Sequence, residues 1–126
     1  MIAKGPFDVK TIPQPPVQGG GPFGLLVLDK HFHGALEGPS AGMMIAGGVT
    51  KGSGAYGALE QFSGTLDGRK GTFMLLHRGT MQGSSFQLDV TVVPDSGTEQ
   101  LVGLAGAMKI IIEGKNHSYE FDYQLP

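Results

Sequence analysis

Cysteine is absent from the chain, so neither a disulfide framework nor thiol catalysis is open to it, and the composition suits a reducing compartment. Charge is sparse, with a formal net value of −2, which leaves no basic patch for nucleic acid or an anionic membrane surface. No apolar run approaches the roughly 20 residues of a membrane-spanning helix. The opening MIAKGPFDVK also lacks the apolar core of a signal peptide. A cytoplasmic protein with neither nucleic acid nor membrane as partner is the expectation. Equally missing is a sustained 3.6-residue hydrophobic period, so no long helix is expected. The segments GGGPFG and GVTKGSG have neither phosphate-loop spacing nor a following helix, and there is no G-x-S-x-G elbow.

What is present is glycine and alternation. The 126 residues include 22 Gly and 8 Pro, yet 40% are hydrophobic, too many for a disordered chain. Many glycines among short alternating runs suit a single all-β domain with tight turns and corners.

The most informative stretch runs from Tyr56 to Met81, two alternating runs around Asp67-Gly68-Arg69-Lys70. A two-residue loop opening on Gly68 predicts a type II′ hairpin. In that register Leu66 faces Gly71, Gly64 faces Phe73, Phe62 faces Leu75, Glu60 faces His77 and Tyr56 faces Met81. The face carrying these residues and Ala58 is the more apolar and is assigned to the interior. Glu60 and His77 would stand across from each other with Cβ atoms roughly 4.5–5.5 Å apart.

Elsewhere, Phe7–Lys10 predicts a first strand and the Pro- and Gly-rich segment after it a loop. Along 24–37 the even positions Leu26, Leu28, Lys30, Phe32 and Leu36 form the apolar row, with Asp29, His31, His33 and Glu37 opposite. Gly38-Pro39-Ser40-Ala41 is expected to turn, and Gly42–Val49 to return. Phe86–Val93 is a half-buried strand, and the end of the chain a hairpin around Gly114-Lys115-Asn116. There Met108, Ile110 and Ile112 would face Tyr119, Phe121 and Tyr123. Three similar stretches, beginning at Leu36, Leu66 and Leu101, predict three hairpins built to one plan. So many short antiparallel strands avoid exposed edges by closing, which predicts a single antiparallel β-barrel of about eight strands with a central cavity; a two-sheet sandwich is the second choice.

LDKHFHGALEGPSAGMM, GALEQFSGTLDGRKGTFMLLHRGTM, VVPDSGTEQLVGLAGAM and HSYEFDYQLP together resemble the bacterial family called Domain of Unknown Function 3224. The likeness spans nearly the whole chain. It implies a barrel similar in fold to allene oxide cyclase, which moulds an apolar substrate in a cavity, although none of that enzyme's functional residues match positions here. A shared fold does not transfer function.

From the residues, the first expectation is a protein that binds a small, mostly apolar molecule in the barrel, with Glu60 and His77 as polar anchors. The same pair would serve as acid and base if the protein were a cyclase or isomerase. Lys30, Tyr56, Phe62, Phe73, Leu75, Tyr119 and Tyr123 are the expected ligand-binding residues. No cofactor is expected. His31-Phe-His33 with Glu37 is similar to the first metal motif of cupins, a second enzymatic alternative. Its leading glycine is displaced, however, and nothing around His77 resembles the second motif, so histidines on the solvent face of a strand are the simpler reading and no metal is assigned. Apolar residues left on the outer face, Met74, Leu76 and Ile111, predict a homodimer or higher homo-oligomer.

Overall fold

The computed structural model describes all residues, Met1–Pro126. Its strands are β1 (Ile2–Pro13), β2 (Gly24–Phe32), β3 (Leu36–Gly47), β4 (Ser53–Leu66), β5 (Arg69–Gln82), β6 (Ser85–Val92), β7 (Ala105–Glu113) and β8 (Asn116–Gln124). Each pairs antiparallel with its neighbours in sequence, and β8 returns to β1, so the eight strands close into one barrel. The closure removes the sandwich alternative. A single 3-10 turn, Glu99–Leu101, is the one helical element, and no helix is long and apolar enough to cross a membrane.

The central hairpin departs from its expected register by two residues. Asp67 and Gly68 both have positive φ, 47° and 83°, so the turn is type I′ on Asp-Gly rather than type II′ on Gly68-Arg69. Asp tolerates the left-handed region better than most residues, and Asp-Gly is favoured where both central positions need it. Gly64 therefore faces Gly71, Phe62 faces Phe73, Glu60 faces Leu75, Ala58 faces His77 and Tyr56 faces Gly79. A two-residue slip preserves which face each side chain occupies, so the interior assignment survives.

The expected turn at 38–41 lies within β3 instead. Gly38, Pro39, Ser40 and Ala41 pair with Phe32, His31, Lys30 and Asp29, and the chain reverses earlier, where Gly34 has φ 101°. Pro39 is tolerated because the β3–β4 ladder skips from Glu37 to Ser40, where its missing N–H is not needed. The three-hairpin repeat consequently holds only for Leu66-Asp67-Gly68. The C-terminal hairpin also departs by two residues from a turn on Gly114-Lys115-Asn116: Met108 faces Phe121, Ile110 faces Tyr119, Ile112 faces His117 and Tyr123 faces Gly106.

One half of the barrel is filled. Phe32, Phe62, Phe73, Phe121, Tyr119, Tyr123, Leu36, Leu66 and Leu101 are at most 1% exposed. The rings run in series, Phe62 to Phe73 at 5.1 Å, Phe73 stacked on Phe121 at 5.7 Å, and Phe121 to Tyr123 at 5.4 Å. Leu101, on the 3-10 turn, packs against the space above Gly71, where a Cβ would come 3.0 Å from its Cγ. At the other end the strands outrun this core and leave a mouth. The β6–β7 pairing is confined to Val90–Met108 and Thr91–Ala107, so the outer parts of these strands flank the mouth without a ladder between them. Amide exchange should be faster in Ser85–Asp89 than in the corresponding half of β5, which pairs along its length; equal protection by hydrogen–deuterium exchange would contradict an open seam.

Candidate functional site

Two inward-facing layers occupy the open half. The deeper one is polar. Lys30 on β2, Ser40 on β3, Glu60 on β4 and His77 on β5 are all at least nine-tenths buried. Lys30 Nζ donates to Glu60 Oε1 at 3.0 Å, Ser40 Oγ–H donates to Oε2 at 2.7 Å, and His77 Nε2 bonds Oε1. Glu60 and His77 thus meet diagonally from Ala58–His77 and Glu60–Leu75 pairs rather than from directly opposed positions. The ammonium also sits over the rings of Phe7 and Phe32, at 5.1 and 5.6 Å. Burial alone would raise the Glu60 pKa, but the His77 hydrogen bond, the Lys30 charge and the Ser40 hydroxyl outweigh it and hold the carboxyl down at about 2. No buried side-chain N or O lacks a hydrogen-bond partner.

Above this layer lies a pocket of about 550 Å³ at the mouth. Its inward walls are Met44 and Ala46 on β3, Tyr56 on β4, Gly79 and Met81 on β5 and Phe86 on β6. The β3–β4 turn overhangs it with Val49, Thr50 and Lys51, and Lys51 is the single charged residue in the lining. Tyr56 forms part of the floor. Its ring occupies the space a Cβ at Gly79 would need, and this half-buried phenol has its pKa raised by burial and by the nearby Glu60 carboxylate. The glycine is what lets the ring lie against β5.

Of the residues expected to bind ligand, Tyr56 lines this pocket. Lys30 belongs to the polar layer beneath it. Phe62, Phe73, Leu75, Tyr119 and Tyr123 are fully buried or nearly so and pack the closed half. The Tyr119 hydroxyl accepts Leu36 N–H at 2.9 Å and donates to His33 O at 2.7 Å, tying down the β2–β3 turn. The Tyr123 hydroxyl donates to Asp67, latching β8 to the central turn; burial and that carboxylate push its pKa up to about 12. Met44, Ala46, Gly79, Phe86 and Ser40 were missed as site residues. The signal for Ser40 was parity: once Leu36 and Met44 share a face, Ser40 must share it too.

His31, His33 and Glu37 gather on the outer surface beside the β2–β3 turn, away from the mouth. Glu37 Oε2 lies 3.2 Å from His31 Nε2 and 3.5 Å from His33 Nδ1. The Gly34 N–H, then His31 and His33, lower the pKa of this exposed carboxyl.

Fold and site together define a closed eight-strand antiparallel barrel with one packed end, a buried ionic layer and an apolar mouth. The chain belongs to DUF3224, described as a protein of unknown function, whose family model matches residues 3–123. A solved structure similar to it is that of a protein of unknown function from the DUF3224 family of Shewanella oneidensis MR-1. The two share 41% sequence identity and superpose with a TM-score of 0.92, over 100% of this chain and 97% of the other. No curated protein matches the chain.

Proposed function

We propose that the protein binds a small, mostly apolar molecule in the mouth of the barrel. The observation that carries this reading is the pocket itself: about 550 Å³, walled by Met44, Ala46, Val49, Tyr56, Met81 and Phe86, with one cation, Lys51, at the rim. That volume falls within the range of small-molecule sites, and an apolar wall with few polar groups is their usual chemistry. Two methionines in the wall let it adapt to an irregular shape. The body of the ligand would lie against Met44, Met81 and Phe86, and a polar or anionic end would face Lys51.

In this reading Glu60 and His77 support the site from below. They are saturated by Lys30, Ser40 and each other, and neither of them lines the pocket. Their role is to hold four strands in register under a floor that does not collapse. Chemistry of the cyclase or isomerase type would require a substrate to reach two groups that are at most 4% exposed and lie outside the pocket lining.

Ala46→Trp, which fills the pocket from its wall, should abolish binding of dodecanoate, an apolar chain with an anionic end, as measured by calorimetry; the wild type should bind with a negative heat-capacity change. Binding retained in Ala46→Trp would place the site elsewhere.

The outer face supports a second copy of the chain as partner. Ile12, Val27, Met43, Leu59 and Leu76 are consecutive partners across β1 to β5 and form one uncharged row, with Ile45 and Met74 beside it. All but Val27 are exposed. A contiguous apolar row on a sheet is a self-complementary surface, and two sheets can stack face to face across it. Sedimentation should give a dimer for the wild type and a monomer for Leu59→Lys; a monomeric wild type at high micromolar concentration would contradict this.

A further inference from the structure

We infer that His31, His33 and Glu37 form a surface site for a first-row divalent metal ion, of the zinc type, with Asp8 orienting one of its ligands. The ligand-bearing atoms of the three residues lie within 4.8 Å of one another. Two of the edges are already those of a coordination polyhedron. Bonds of about 2.0–2.1 Å in a tetrahedral arrangement separate neighbouring ligand atoms by roughly 3.3 Å. The observed separations of Glu37 Oε2 from His31 Nε2 and His33 Nδ1, 3.2 and 3.5 Å, bracket that value. The imidazole rings, 4.6 Å apart between centroids and half exposed, have freedom to close the third edge.

The surroundings fix the ligands as a metal site requires. His33 Nε2 lies 3.0 Å from Asp8 Oδ2 on the neighbouring strand β1. A carboxylate only accepts, so this nitrogen carries the proton, and Nδ1 on the other side of the ring is the atom that would take an ion beside Glu37 Oε2. The carboxylate–imidazole–ion arrangement is the common outer support of metal-bound histidine. Glu37 is held from its other side, where Gly34 N–H donates to Oε1 at 3.2 Å. The Tyr119 hydroxyl, by binding His33 O and Leu36 N–H, anchors the turn that carries the ligands to the packed core.

Two imidazoles with one carboxylate suit zinc and its neighbours rather than magnesium or calcium, which take all-oxygen sets. Three protein ligands leave a coordination position open to water or to an outside donor. The ion would staple β1 to the β2–β3 turn, far from the apolar mouth, so the site is independent of the ligand reading above.

The test titrates the whole protein with Zn²⁺ by calorimetry and with Co²⁺ by visible absorption, which reports four-coordinate geometry directly. One ion per chain is expected, with a four-coordinate Co²⁺ spectrum. His33→Ala and His31→Ala should each lose it, and Asp8→Asn should bind about 10–100-fold more weakly. His117→Ala should match the wild type. The exposed positions allow each variant to be checked for an unchanged melting curve without metal. Failure of the wild type to bind stoichiometrically, or equal binding by the wild type and the His31→Ala/His33→Ala double variant, would overturn the assignment.

Discussion

Glu60→Ala should destabilise the protein by about 3–5 kcal/mol, because it strands the buried Lys30 ammonium and removes the acceptor for His77 and Ser40. Replacing the network as a unit, with Lys30→Met, Glu60→Leu and His77→Leu together, should recover most of that loss, since apolar groups of similar volume often substitute for a buried ion pair. The same carboxylate predicts a pH dependence. Its folded pKa is about 2 against an ordinary 4.5, so the stability it confers is full above the ordinary value and is lost as pH falls from about 4.5 to about 2. Urea midpoints measured across that window should fall more steeply in the wild type than in the triple variant. Parallel curves would mean that Glu60 is not held ionised by its partners.

Phe73→Ala is expected to cost about as much, roughly 3–5 kcal/mol, for a different reason. Phe73 is fully buried, stacked on Phe121 and in contact with Phe62, so the deletion leaves a cavity between rigid rings in the closed half. Dodecanoate binding, measured well below the melting transition, should survive it because Phe73 is remote from the pocket wall. A variant that kept its stability and lost binding would move the ligand into the closed half, where the alternation of the sequence had first put it.

The residues explain why the fold was more legible than the site. Strict alternation in β4 and β5 assigns Glu60, Phe62, Phe73, Leu75 and His77 to one face, and a slip of two residues cannot change that. The turn was misplaced because Gly68 satisfies one requirement for positive φ by itself; Asp67 in the left-handed region had to be allowed as well. Gly38-Pro39 carries a strong turn signal that tertiary pairing overrides, since β3 crosses it with its ladder to β4 interrupted. The site was only half legible. Parity along strands tells which side chains point inward, but not how deep each lies along the barrel axis, and depth separates Phe73 in the packed end from Tyr56 in the mouth. That depth follows from the 3-10 turn carrying Leu101, which fills one end, and no local pattern announces it.

The distribution of methionines offers the most direct test of ligand binding in the mouth. Met44 and Met81 line the pocket, Met43 and Met74 lie on the outer face, and Met108 is in the core. With methyl-¹³C methionine, NMR titration with dodecanoate should shift Met44 and Met81 and leave Met43, Met74 and Met108 in place. Shifts confined to Met43 and Met74, with Met44 and Met81 unmoved, would put binding on the outer surface and contradict the proposal.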